Sequence, residues 1–408
     1  MTGGRSGGSG RGGRGGGPRG GGRPGGRTGG RAAGAPRRYA SAAPETVELR
    51  IDGLGSGGEG VGRTDGIVAF VPLAAPGDLV RARVVERKKR FLRAALVEVV
   101  EPGPDRVAPP CPVFGECGGC DWQHLGYAAQ LRAKRASLVE TLARVGGVAD
   151  PPVAEIVPSE ASLGYRDRIR GTVRGGRFHL ARRGTGEPVA IERCEIADEA
   201  INARLADGFE GDAEGRVELA VRDGGVELLP VDGARATDLG FRQVNPGVAR
   251  ALEARLVADV AGAGAPVVHD LYCGAGTWTL PIAAACPEAR TIGVESHAGS
   301  VEIARRRARE AGLAVEFRHG RVERLMKGLE LAGSTCIVDP PRAGLDPAAL
   351  ARLVATPAAT LAYVSCHPGT LARDLAALTE AYELVEVRPF DMFPQTAHLE
   401  CRALLRGR

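Results

Sequence analysis

Apolar and polar positions fall into three successive patterns along the chain. From residue 45 to about 101, short alternating stretches such as TVELRIDGL and GIVAFVPL are broken by glycine, which predicts a small β-barrel. Residues 127–145 change to a helical period and predict one amphipathic helix. Alternation returns at 165–183, YRDRIRGTVRGGRFHLARR, as a strand pair with one arginine-rich face, and residues 196–236 carry a weak pattern that fits further short strands. Beyond them a long helix starts at Asn245 and Pro246, followed by strands at PVVHDL, ARTIGVES, LAVEFRHG, STCIV and TLAYVS with helical stretches between. Strands alternating with helices predict an α/β fold with a doubly wound parallel sheet.

The stretch 266–279, PVVHDLYCGAGTWT, reads as strand, tight turn and helix start. Gly274 and Gly276 let the backbone turn sharply and bring its N–H groups to a ligand, with Asp270 at the strand's carboxyl end. The second strand ends in Glu295, nineteen positions beyond Gly276, where a nucleotide fold places the acid that holds a ribose hydroxyl. A dinucleotide fingerprint needs glycine or alanine at position 279, and the chain has Thr279. S-adenosylmethionine is therefore a better candidate than NAD.

Charge adds a separate feature. Residues 1–40 hold nine arginines and no acid, so the remainder carries a formal −4 within a chain of net +5. This Arg/Gly-rich tail, residues 1–44, is too polar and too low in complexity to order itself; its RGG repeats resemble RNA-binding segments, and a solubilising tail with non-specific attraction for polyanions fits them equally. Arg87, Lys88, Lys89, Arg90 and Arg93, with Phe91 among them, form a second basic cluster suited to phosphate contact and base stacking. No apolar run is long enough to span a bilayer and the start lacks the apolar core of a signal peptide, so a cytoplasmic protein is expected.

In a reducing compartment nine cysteines point to metal binding or catalysis rather than disulfides. Cys111, Cys117 and Cys120 form a C-x5-C-x2-C array with Cys194 as a fourth candidate ligand. Zinc held with His124 in place of Cys194 is the alternative. Cys366 closes the fifth strand at the cofactor edge and is a candidate nucleophile.

Four ordered motifs, DLYCGAGTWTLPIA, IVDPPRAGLDP, YVSCHPGTLARDL and DMFPQTAHLE, resemble the RNA 5-methyluridine methyltransferase family over roughly residues 45–408. The cysteine array and the GLGSGGEGVGR loop at residues 53–63 resemble its 23S ribosomal RNA branch, with an OB-like TRAM β-barrel and a [4Fe-4S] cluster. The resemblance implies a class I methyltransferase sheet and the divisions 1–44 tail, 45–103 TRAM, 104–236 central α+β iron–sulfur domain and 237–408 S-adenosylmethionine domain. It implies Cys366 as nucleophile, Glu400 as general base and Gln243, Tyr272, Gly274, Glu295 and Asp339 around the cofactor. Two positions depart from the family: Arg321, in HGRVE, stands where an acid or amide meets adenine, and Gln395 makes PQT of the common PHT. Transfer RNA as substrate, and an inactive RNA-binding protein, are the alternative readings.

Overall fold

The computed structural model describes residues 45–211, 214–222, 225–231 and 242–408. The Arg/Gly tail, Phe241 and the expected boundary near 236 lie outside the described residues. Three sheets follow one another, all within one packed unit.

The first is a closed barrel of β1 (Thr46–Leu54), β2 (Gly60–Thr64), β3 (Ile67–Val71), β4 (Leu79–Arg87) and β5 (Phe91–Glu101), in the order β1-β2-β3-β5-β4. The inward positions of the alternation, Leu49, Ile51, Val71, Val80 and Leu92, fill it; burial of such a side chain contributes roughly 1.5–3 kcal/mol. Closure brings β1 against β2 so tightly that a Cβ at Gly62 would stand 2.2 Å from the Arg50 carbonyl oxygen. Only glycine fits there.

Helix α1 (Tyr127–Arg144) leads into an antiparallel sheet of β6 (Arg168–Arg174), β7 (Arg177–Ala181), β8 (Pro188–Ala190), β9 (Gly215–Arg222) and β10 (Gly225–Pro230), ordered β10-β9-β6-β7-β8. Where only strands were expected, a helix α2 (Glu199–Ala206) forms first. Its signal is Asp198, whose carboxylate accepts from the Ala200 N–H at 2.8 Å and caps the helix.

The third sheet has seven strands in the order β13-β12-β11-β14-β15-β17-β16. These are β11 (Val267–Leu271), β12 (Arg290–Glu295), β13 (Val315–His319), β14 (Thr335–Val338), β15 (Thr360–Ser365), β16 (Tyr382–Phe390) and β17 (Glu400–Gly407). The first five in sequence run parallel and β17 enters antiparallel between β15 and β16. Helices α3 (Pro246–Ala263), α4 (Thr279–Ala285), α5 (Ala298–Glu310), α6 (Val322–Leu325), α7 (Pro347–Ala355) and α8 (Pro368–Leu378) connect and cover the strands. The expected start of α3 is present: the Asn245 side chain accepts from Val248 N–H and Pro246 opens the first turn. Strand order reverses between β11 and β14, so a crevice opens at their carboxyl ends. Among the described residues no helix is long and apolar enough to cross a membrane.

Candidate active site and cysteine cavity

The turn after β11 is built as the glycines predict. Gly274 and Gly276 have φ of 55° and 80°, and Tyr272, without a glycine's freedom, is also left-handed at 69°. Such a conformation costs roughly 1–3 kcal/mol; the Tyr272 and Cys273 N–H groups, both donating to the Val294 carbonyl at 2.9 and 3.1 Å, hold it. Glu295, at the end of the neighbouring strand, accepts from Gly274 N–H at 3.1 Å and His297 N–H at 2.7 Å. Asp270 lies beneath this turn, fully buried, with the Thr279 hydroxyl donating to it at 2.5 Å and burial pushing its carboxyl up to about 7. It shapes the turn from below and does not line the crevice.

The crevice itself is a cavity of about 1250 Å³ lined by Gln243, Tyr272, Gly274, Glu295, Asp339, Cys366 and Glu400. All seven residues expected at the cofactor and reaction centre therefore come together, from five different strand ends and one helix entry. Trp278 Nε1 donates to Asp339 Oδ2 at 2.9 Å, while burial raises the Asp339 carboxyl to about 6. Glu400 opens β17, is 2% exposed, and is driven well above the usual carboxylate range by burial and by Asp339. Burial, then the Glu400 charge, pushes the Cys366 thiol up to about 11, and the Arg342 guanidinium acts in the opposite direction. Two acids and a thiol thus share a site that favours their neutral forms.

Cys366 and Arg342 also line a second cavity, of about 710 Å³. Its other walls are the barrel loop 52–57, one face of α1 and residues 397–399. The thiol stands at the junction of a sheet-side cavity and a barrel-side one. Sequence reasoning passed over Arg342, Trp278 and Glu323. Each was in a stretch already singled out, but ordinary motif reading gave it no role. The Arg321 guanidinium is ion-paired to Glu323, and both line the crevice, so an acid is present two positions beyond Arg321.

The four cysteines of the array, Cys111, Cys117, Cys120 and Cys194, line one separate cavity of about 900 Å³. Burial pushes the Cys120 thiol up to about 12, and the other three cysteines push it the same way, so Cys120 is within reach of the charge of all three. Four free thiols around one space are a donor set suited to an iron–sulfur cluster or a soft metal. Among the described residues, however, no three His, Cys, Asp or Glu side chains converge closely enough to hold an ion as they stand. His124 is not part of this cavity. It is buried against the Phe114 ring at 5.7 Å, and desolvation, with Arg106, lowers it to about 4, so the Cys3His arrangement is not assembled.

The basic surfaces are less cationic than their sequences. On β6 Arg168 and Arg170 meet Glu218, and just after β7 Arg182 meets Glu116 and Arg183 meets Asp121. On the barrel Arg87 pairs with Glu45, Lys88 with Glu86 and Arg93 with Glu59. Lys89 and Arg90, in the β4–β5 turn, have no acidic partner within salt-bridge distance among the described residues, and Phe91 packs edge-on to Phe70 at 5.9 Å.

The chain is similar to known proteins over most of its length. The tRNA (uracil-5-)-methyltransferase family model matches residues 233–408, and the TRAM domain model matches residues 44–97. An uncharacterized RNA methyltransferase of Bdellovibrio bacteriovorus is 35% identical, over 88% of this chain and 95% of that protein. The 23S rRNA (uracil(1939)-C(5))-methyltransferase RlmD of Aeromonas salmonicida is 30% identical, over 89% and 97%. The solved tRNA (uracil-54, C5)-methyltransferase of Pyrococcus abyssi, in complex with S-adenosyl-L-homocysteine, is 25% identical with a TM-score of 0.68, over 88% of this chain and 100% of that one. The chain belongs to the RNA uracil-5-methyltransferase family and is an S-adenosylmethionine-dependent RNA methyltransferase with an N-terminal TRAM domain.

Proposed function

We propose that this enzyme forms 5-methyluridine in 23S ribosomal RNA, in the cytoplasm, by transient covalent attachment of the target uracil to Cys366. The observation that carries the reading is the position of Cys366 at the meeting of the two cavities, one fit for a nucleotide-like cofactor and one opening beside the barrel. Uracil C5 is a weak nucleophile on its own. The Cys366 thiolate adds to C6, the C5–C6 π electrons move toward C5 and O4, and C5 bonds to the methyl carbon. S-adenosylmethionine, when bound, would supply that carbon as an electrophile on a positively charged sulfur, the carbon–sulfur bond breaking with its electron pair kept by sulfur so that neutral S-adenosylhomocysteine leaves. Glu400, as carboxylate, takes the C5 proton; the C5–C6 double bond re-forms and the C6–S bond breaks, returning Cys366 as thiolate. C6 is out of reach in a stacked base, so the uridine is taken unpaired or flipped.

Gln243, Tyr272, Gly274, Glu295 and Asp339 are the proposed cofactor contacts, and Glu323 takes the adenine-side role that Arg321 leaves open. Residues 45–103, 104–236 and 237–408 are kept as the proposed domain limits. Cys111, Cys117, Cys120 and Cys194 are proposed to hold a [4Fe-4S] cluster that fixes the central domain. Iron and labile sulfide in anaerobically purified protein test this: about four irons per chain are expected, and zinc or no metal overturns it.

Similarity over 89% of this chain to a relative named as a 23S rRNA methyltransferase, together with the cysteine set, supports ribosomal RNA. Transfer RNA is the second reading, favoured by the solved Pyrococcus structure. Purified 23S and transfer RNA, each incubated with the protein and methyl-labelled S-adenosylmethionine and then digested to nucleosides, separate the two. Labelled 5-methyluridine from 23S RNA alone is expected; label from transfer RNA alone overturns the substrate.

A further inference from the structure

The loop between β16 and β17, residues 391–399, leads directly into Glu400, and a single residue within it spends all its polar groups on the central part of the chain. Gln395 is 7% exposed and left-handed, with φ of 67°. Its carbonyl accepts from both Asp121 N–H and Trp122 N–H at 2.9 Å, the two residues that follow Cys120. Its own N–H donates to Gln130 Oε1 at 2.9 Å, its Oε1 accepts from Gln130 Nε2 at 2.9 Å, and its Nε2 donates to the Ser162 carbonyl at 3.2 Å.

Gln130 completes the knot. Fully buried on α1, it shares the two hydrogens of its Nε2 among three acceptors, Gln395 Oε1 and the carbonyls of Trp122 and Leu125 at 3.1 and 2.9 Å. On the N-terminal side of Gln395 the same loop is pinned twice more, by Tyr165 Oη donating to the Pro394 carbonyl at 3.1 Å and by Lys134 Nζ at 2.5 Å from Asp391. An apolar core would hold such a loop in place. A reciprocal amide pair holds it in register, because each bond has a direction and each lost partner leaves a buried polar group unpaired.

We propose that Gln395 and Gln130 are positioning residues for Glu400: they latch the loop that carries the base onto the cysteine loop, so that order in one sets the carboxylate of the other. This rests on Glu400 being the base in the reaction above. A loosened latch leaves thiol addition and methyl transfer in place but slows removal of the C5 proton, and the protein–RNA adduct accumulates.

The experiment compares Gln130→Met, Gln395→Gly, Glu400→Gln and the native protein. Methionine keeps the volume at Gln130 without its bonds, and glycine keeps the left-handed backbone at Gln395 without its side chain. Both latch variants should lower kcat by about tenfold with KM for RNA and S-adenosylmethionine within about twofold, the signature of a lost transition-state interaction. Both should accumulate a covalent adduct on a denaturing gel, at levels between native and Glu400→Gln, and exchange backbone hydrogens faster at residues 391–399. Native kcat in both variants, or a lowered kcat without adduct, overturns the latch. If Glu400→Gln itself forms no adduct, the covalent reading fails instead; if Gln130→Met does not fold, Gln395→Gly carries the test.

Discussion

The cofactor crevice and the cysteine cavity were both legible as clusters of reactive residues, yet the structure assembles them differently. At the crevice the side chains sit at the ends of β11, β12, β14, β15 and β17, so the sheet's register alone brings them to one edge. Around the cysteine cavity three of the four thiols lie on loop 111–120 and the fourth before α2, and none of the four lies within a named strand. A site built on strand ends is complete when the sheet is complete. A site built on loops reaches its final geometry with the group it binds.

The largest effect that should separate the two regions comes from Cys366→Ala. Methylation should fall by more than about 10⁴-fold while S-adenosylmethionine binding by calorimetry stays within a few-fold; measurable turnover would break the assignment of the crevice. Glu400→Gln should cost about 10²–10⁴-fold and trap protein bound to RNA.

The proton balance of the crevice gives a third test. Below its raised pKa of about 11, the Cys366 thiolate fraction grows tenfold per pH unit, and Glu400, also raised, becomes a competent base only as it ionises. Both signs agree. Single-turnover methylation should therefore rise between pH 7 and pH 9, by up to about 100-fold if thiolate formation limits it; a flat or falling profile contradicts this reading of the buried acids and thiol.

Changes at the cysteine cavity should act mainly on stability and order. Cys117→Ser should lower iron content and the melting temperature by about 5 °C, and should quicken hydrogen exchange at 391–399 through Asp121, Trp122 and Gln395. A mutant that loses its metal while exchange at that loop stays native would uncouple the two regions. The smallest effect is expected from Glu323→Ala, a weakening of S-adenosylmethionine binding by about tenfold, or 1.4 kcal/mol, with kcat at saturation nearly unchanged.

Much of this fold was visible in the chain. Strand and helix periods, the Asn245–Pro246 start and the glycine turn all lay where local chemistry put them, because each is set by neighbours in sequence. Helix α2 was missed because its short apolar pattern resembles a strand, although Asp198 was a usable cap. Long-range polar pairing was harder to see. Nothing local shows that Gln130 and Gln395, 265 positions apart, exchange two hydrogen bonds, or that Arg168 and Arg170 spend their charge on Glu218. The hint was Gln130 and Lys134 on the buried stripe of an amphipathic helix, where a polar side chain implies a distant partner.

The most direct measurement is peptide mass mapping of the complex trapped by Glu400→Gln with RNA and S-adenosylmethionine, after nuclease and protease digestion. A methylated uridine nucleotide on the peptide containing Cys366 is the predicted result. An adduct on any other residue, or free RNA methylated without an adduct, would contradict covalent catalysis at the junction of the two cavities.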